Sequence, residues 1–386
     1  MIASFRDPIH HILDAVHSCT RQNLEREEIE KIINTARKIG SPQNGEVVKI
    51  KKKKYSLSRS VLLSGGDRRV HILMTRHKKC KDHIVNQIGT QKIIKKRVSF
   101  GLRRLDQIEV GALAVIKKKS ITAKMKQSGE PFSWEEIKNK TEKEALLLQQ
   151  LQGNSSIIKI DFFFNNSKKR LYIGMELGEI DLLDFIETRN PSFKDGLLLA
   201  RDCAKAVQVL HDRKDQIIHR DIKPDNFLVM PNGRVKMIDL GLACEDRDIL
   251  TKKLASGSPG WISPEIAKMT TEREEDISSV TPANDLFSLG LTISMIFTKM
   301  AFSFQHIQME TPSEGFRILA NLTNEALQTE LMFHLCPEVV RYLILNLLDI
   351  DPKKRMKASQ VVDELETLIK EEAKKSIPEG EEKKQS

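Results

Sequence analysis

Apolar residues recur with two different periods along this chain, and the change of period divides it. Ile9, Ile12, Leu13 and Val16 fall at helical spacing behind Asp7-Pro8, an N-cap followed by a first-turn proline. Ile29, Ile32, Ile33, Ala36 and Ile39 repeat such a face, and Gly40-Ser41-Pro42 ends it. Residues 1–45 are therefore expected to form a helical extension whose apolar stripes pair with each other, face a partner or, as the default, dock on a core. From Val47 to about Lys119 short β-favouring runs take over: Val61-Leu62-Leu63, Val70 to Met74, Ile93-Ile94 and Ala112 to Ile116. Gly65-Gly66-Asp67 between the first two reads as a hairpin turn. Beyond Trp134 helical patterns dominate, interrupted by a loop-rich region from Ile217 to about Pro264. Leu286 to Ile296 is the most apolar stretch. Ser288, Thr292 and Ser294 interrupt it and it falls short of the ~20 residues of a membrane span, so a buried helix is expected. Residues 371–386 carry almost nothing apolar and are expected to be disordered.

Composition changes this picture in one respect. The chain has 386 residues, 40% hydrophobic and 30% charged, which suits a water-soluble fold of two or three compact units. Its net charge of +10 is unevenly placed: residues 41–126 carry +18 and the remainder −8. Such a basic segment suits an acidic or nucleic-acid partner. The run Lys51 to Lys54 has no aromatic residues interleaved for base stacking, which favours a solvated strand edge over a nucleic-acid site. The five cysteines are scattered without a metal-ligand spacing, pointing to free thiols in a reducing compartment. No secretory signal pattern opens the chain, and a cytoplasmic location is the expectation.

The chemistry is concentrated in two short runs. His219-Arg220-Asp221-Ile222-Lys223-Pro224-Asp225-Asn226 is followed by Ile238-Asp239-Leu240-Gly241, with Asp239 standing 18 residues after Asp221. Moving a γ-phosphoryl group onto a hydroxyl needs a carboxylate at the nucleophile, metal ions on the phosphates and cations on the developing charge. These runs supply each residue type. Ala114-Val115-Ile116-Lys117 precedes them, as do Glu142 to Leu151 and Met175-Glu176-Leu177-Gly178. Gly257-Ser258-Pro259-Gly260-Trp261-Ile262-Ser263-Pro264-Glu265, Asn284-Asp285 and Asp351 to Arg355 follow.

Taken together these motifs resemble the eukaryotic-type protein kinase family, reading H-R-D-I-K-P-D-N for its catalytic loop and D-L-G where most members have D-F-G. The resemblance covers roughly residues 85–370 and implies an α+β, two-lobed fold. A small, mostly β N-lobe would occupy 85–177 and a larger, mainly helical C-lobe 178–370, with 46–84 outside it. It implies ATP and Mg²⁺ as cofactors and a protein substrate with a serine or threonine acceptor. By the same resemblance Asp221 is the base, Lys223 stabilises the transferring group, and Asn226 and Asp239 hold magnesium. Lys117, with Lys118 and Lys119 as competitors, is the strand lysine. Glu144, with Glu142 as alternative, is its partner. Met175, Glu176 and Leu177 form the nucleotide hinge, and Asp181 either reaches the ribose or caps a helix. His219 shapes the loop, Asp285 ties it to a buried helix, and Glu265 pairs with Arg355. Arg220 reads a phosphate on Thr251 or Ser256. The family's glycine-rich loop is degenerate: Ile88-Gly89 to Ile94 keeps one glycine, and Ser64-Gly65-Gly66-Asp67 lies far upstream. Two other readings stand beside the kinase: a pseudokinase scaffold, and a small-molecule phosphotransferase.

Overall fold

The computed structural model describes residues 47–50, 53–65, 68–76, 84–88, 111–117, 134–166, 170–176, 178–230, 232–245, 257–272 and 277–375. Two compact units emerge. One runs to Gly153 and takes in Ile158–Glu179, while the other holds Asn154–Ile157 and everything from Ile180. The helices expected before residue 45 lie outside the described residues.

The first unit is built on an antiparallel sheet. Its strands are β1 (Val47–Ile50), β2 (Lys53–Gly65), β3 (Arg68–Arg76), β4 (Ile84–Ile88), β5 (Gly111–Lys117), β6 (Ile160–Asn166) and β7 (Arg170–Glu176). They lie in the order β1-β2-β3-β5-β7-β6, with β4 pairing onto β3. The hairpin expected around Gly65 is present, with Gly65 the register partner of Arg68. Strand β3 then pairs with β5 through Arg69↔Val115 to His71↔Leu113. Strands β1 to β3, which the resemblance leaves out, thus belong to the same sheet as Lys117. A period-2 pattern reveals strands but not which strands are neighbours, and β4 with residues 89–110 separates these two in sequence. Strand β6 has no alternation, since Phe162-Phe163-Phe164 runs unbroken, and its β character was not legible from pattern. Helix α1 (Trp134–Gln150) covers the sheet, packing Trp134 and Ile137 against Leu171 of β7 and Phe163 of β6.

The second unit is mainly helical. Ser192 and Asp195 form a reciprocal capping box that starts α3 (Phe193–His211), just after the short α2 (Leu182–Arg189). The apolar run proves to be the centre of α5 (Pro282–Thr298), opened by Thr281 and Pro282 and buried over most of its length. Its interrupting polar groups mostly satisfy themselves locally: Thr292 Oγ1 donates to the Ser288 carbonyl at 2.9 Å. Gly290 is needed where α5 meets α9 (Glu338–Leu347), because a Cβ there would sit 2.8 Å from Leu348 Cδ2. Helix α10 (Ala358–Lys375) lays Val361, Val362 and Leu365 into the core beside α3 and ties to it through Lys205–Glu366 at 2.5 Å. It continues five residues into the segment expected to be disordered. Residues 370–375 are good helix formers, Lys374 and Lys375 suit the helix C-terminus, and Lys375 pairs with Glu372 at 3.2 Å. Low apolar content did not preclude a helix that was already nucleated. Around these lie α4 (Pro264–Glu272), α6 (Ser303–Glu310), α7 (Pro312–Ala320) and α8 (Asn324–Phe333). Among the described residues no helix is long and apolar enough to cross a membrane.

Candidate active site

Five short strands of the second unit present the loops that carry the motifs. Strand β10 (Phe227–Val229) pairs with β11 (Val235–Met237) and with β8 (Ile180–Asp181), while β9 (Ile217–Ile218) pairs with β12 (Cys244–Glu245). The His219–Asn226 segment leaves β9 and enters β10 through a 3₁₀ turn at Pro224–Asn226. Asp239 follows β11. The Ile238 N–H donates to the Asn226 carbonyl at 3.0 Å, which brings Asp239 alongside Asn226.

Asp221 is held on both oxygens. Its Oδ1 accepts from the Ser258 N–H at 2.9 Å and its Oδ2 from Asn226 Nδ2 at 3.0 Å. Lys223 Nζ stands 3.9 Å from Oδ2 and donates to Ser258 Oγ at 2.8 Å. A carboxylate so placed has a fixed direction, with a cation beside it. Asn226 Nδ2 also donates to the Asp221 carbonyl at 2.7 Å, so the amide hydrogens face Asp221 and Oδ1 is the atom left for another partner. Asp239 Oδ1 accepts from the Gly241 N–H at 2.7 Å, which shapes the turn after it.

A second layer fixes the loop itself. Buried Asp285 of α5 accepts the His219 N–H at 2.7 Å, the Arg220 N–H at 2.8 Å and His211 Nε2 at 2.9 Å. Burial pushes its carboxyl up, but the His211 hydrogen bond and the two backbone donors outweigh that and hold it below the usual carboxylate value. His219 accepts the Asp221 N–H on Nδ1 at 3.2 Å, which assigns its proton to the buried Nε2. Arg220 takes φ +69°. The Arg220 carbonyl leaves no room opposite: a Cβ on Gly257, itself at φ +139°, would meet it at 3.0 Å. The Arg220 guanidinium reaches Cys244 Sγ at 3.8 Å.

Arg355 and Glu265 form a two-pronged ion pair at 2.6 and 2.8 Å, with the Arg355 side chain fully buried. Arg355 also donates to the Asp349 and Ala283 carbonyls and lies 5.1 Å over the Phe287 ring. Asn284 joins this pair to the loop before it, donating to Glu265 at 2.7 Å and to Ser263 Oγ at 3.1 Å. Asp181 caps α2, accepting the Asp184 N–H at 2.8 Å, and burial raises its carboxyl above the usual value despite that bond.

Within the first unit, Lys117 ends β5 opposite Arg170 of β7. Glu144 of α1 is 2% exposed, whereas Glu142 is half-buried. Met175 is buried and pairs with Ala112 and Ile160. Glu176 is tied to Lys159 twice, its carboxylate accepting the Lys159 N–H at 2.7 Å and its own N–H donating to the Lys159 carbonyl at 2.8 Å. Leu177, Lys118, Lys119, Thr251 and Ser256 lie outside the described residues, as do Gly89 to Ile94.

Three residues here had no assigned role in the sequence reading. Ser258 stood in a quoted motif, and Asn284 preceded Asp285. His211 carried no signal, being 74 residues from the carboxylate it meets.

A sequence model of the protein kinase domain matches residues 107–365. The chain belongs to the protein kinase family. The phosphorylase b kinase gamma catalytic chain, liver/testis isoform, of Bos taurus is 26% identical over 70% of this chain and 64% of its own length, and that of Homo sapiens gives the same figures. Serine/threonine-protein kinase STK11 of Gallus gallus is 29% identical over 57% of this chain and 47% of that protein. The chain thus spans less than two thirds of the length of the curated relatives it matches.

Kinase domains use ATP with a divalent cation, and the donor set suits such a cation. Asn226 Oδ1 and the Asp239 carboxylate are hard oxygen donors on adjacent backbone, a set that would suit a small divalent cation.

Proposed function

We propose that this kinase domain transfers the γ-phosphoryl group of Mg²⁺-ATP to serine or threonine hydroxyls of protein substrates. The observation that carries this reading is the double anchoring of Asp221 by Ser258 and Asn226 with Lys223 alongside. Mg²⁺-ATP supplies the phosphoryl group and the charge neutralisation that leaves it electrophilic. Asp221 orients the acceptor hydroxyl and takes its proton, and Lys223 stabilises negative charge next to it. Asn226 and Asp239 are the metal-holding residues. Lys117 serves the phosphates with Glu144 as its partner, and Met175, Glu176 and Leu177 receive the adenine.

For the loop over the phosphates the hairpin at Gly65-Gly66 is the better candidate. Its β3 is the direct neighbour of the Lys117 strand, with Arg69↔Val115 two residues from Lys117. Arg220 reads a phosphate on Thr251 or Ser256, with mass spectrometry after ATP incubation as the check. The name of the avian relative, a serine/threonine-protein kinase, supports the choice of acceptor.

Incubating the purified chain with labelled ATP, Mg²⁺ and a generic acceptor protein should label serine or threonine, and Asp221→Ala should abolish labelling while nucleotide binding persists. Nucleotide binding without turnover in the parent chain would instead assign it to the pseudokinases.

A further inference from the structure

Among the described residues, five of the seven large apolar side chains that stand exposed fall within eleven positions: Met332, Phe333, Leu335, Val339 and Tyr342. They occupy the end of α8, the turn after it and the outward face of α9. Val339 and Tyr342 lie one helical turn apart, and Leu335 precedes Val339 by one turn's length of chain. With exposures from 52% to 86% they present a surface on the order of the ~300–600 Å² of the largest apolar patch on an ordinary monomer.

The turn itself adds a second observation. The Leu335 N–H donates to the Met332 carbonyl and the Cys336 N–H to the Leu331 carbonyl, both at 3.0 Å. Buried Leu331 and Cys336 sit at the two ends of this turn. This is the glycine-favouring helix stop, with the residue at its left-handed position being Leu335 at φ +54°. A leucine there is strained, and at 86% exposure its side chain gains nothing from the core of this molecule. Glycine would relieve the strain and remove an exposed apolar group. Both costs are explained if the side chain is buried against something else.

We propose that this face is the contact between two copies of the chain. Standard interfaces remove about 800 Å² from each partner, so this apolar face and its rim are of the size a dimer needs. Its charge also suits a copy of itself. Between Met332 and Tyr342 the only formal charges are Glu338 and Arg341, which cancel, in a chain carrying +10 overall. A two-fold arrangement therefore meets no like-charge repulsion, and it turns the ridge of Leu335, Val339 and Tyr342 against its own equivalent.

Sedimentation velocity of the full chain from about 1 to about 100 µM should show a concentration-dependent dimer. Leu335→Gly should weaken dimerisation at least tenfold while leaving the melting temperature of the dilute chain unchanged or higher, because glycine fits the left-handed position. Adding Tyr342→Lys should leave a monomer throughout the range. A parent chain that is monomeric at every concentration overturns the proposal and leaves the face to residues 1–46 or to another protein. A dimer insensitive to both changes overturns it equally.

Discussion

Replacing Asp285 with asparagine tests the anchoring of the catalytic loop more directly than any change at the chemistry itself. The carboxylate accepts three hydrogen bonds, from His219 N–H, His211 Nε2 and Arg220 N–H, at 2.7 to 2.9 Å. An amide of the same shape has one acceptor oxygen, so in either orientation its NH₂ faces at least one backbone N–H. One charge-assisted bond is lost, about 1.5–3 kcal/mol, and a buried N–H is orphaned for about 1–3 kcal/mol more. Part of this is offset because an amide costs less to bury than a carboxylate, leaving a net destabilisation of about 3 kcal/mol. Urea unfolding should shift to lower denaturant by ~1 M at an m-value of ~3 kcal/mol/M. Turnover should fall by tenfold or more well below the unfolding transition, because the left-handed Arg220 next to Asp221 loses its tether. Acid response gives an independent check. The folded Asp285 carboxyl is held below its usual value, so its contribution is present above that value and disappears as pH falls through the folded one. The parent should therefore lose stability more steeply than the variant below about pH 4. A destabilisation under ~1 kcal/mol together with parental turnover would refute the anchoring role.

Arg355→Met should cost about 3 kcal/mol, read by thermal or urea unfolding, because it strands half-buried Glu265 and empties the space over Phe287. Lys117→Met should impair both nucleotide binding and turnover while Lys118→Met leaves them near parental; the reverse result would mean that the strand register is off by one. If the basic segment has an anionic partner, charge reversal across Lys51 to Lys54 should weaken polyanion binding measured at low salt, and the parent's binding should fall steeply as salt rises. Binding that ignores both changes would mark the run as a solvated strand edge.

What could be read from sequence follows from how the chemistry is distributed. The Asp221 loop and the Asp239 turn are contiguous segments in which each residue type is dictated by a proton, a cation or a phosphate, so order and spacing expose them. Supports that act across the fold leave no such trace. His211 ends a helix like many other histidines, and only the packing of α3 against α5 shows that it meets Asp285. The place of β1 to β3 in the sheet depends on β3 pairing with β5, which is distant from it in sequence, a topological fact that period-2 alternation does not encode. Leu335 reads as an ordinary apolar residue until its backbone is seen in the left-handed region.

The Ser258 loop shows how these supports combine. The Ser258 N–H that orients Asp221 depends on the backbone from Gly257 to Glu265, which forms no strand of its own. Ser288 of α5 donates to the Trp261 carbonyl at 2.5 Å and Gln305 of α6 to the Gly260 carbonyl at 2.8 Å. Asn284 holds Ser263, and Arg355 holds Glu265. Buried donors from two helices and from Arg355 thus satisfy a loop that would otherwise leave polar groups unpaired. Polar residues at the start of α5 are part of this support: Asn284, Asp285 and Ser288 lie within one helical turn and point the acceptors and donors of a buried helix at the two loops of the site. The helix that builds the core therefore also sets the direction of the Asp221 carboxylate.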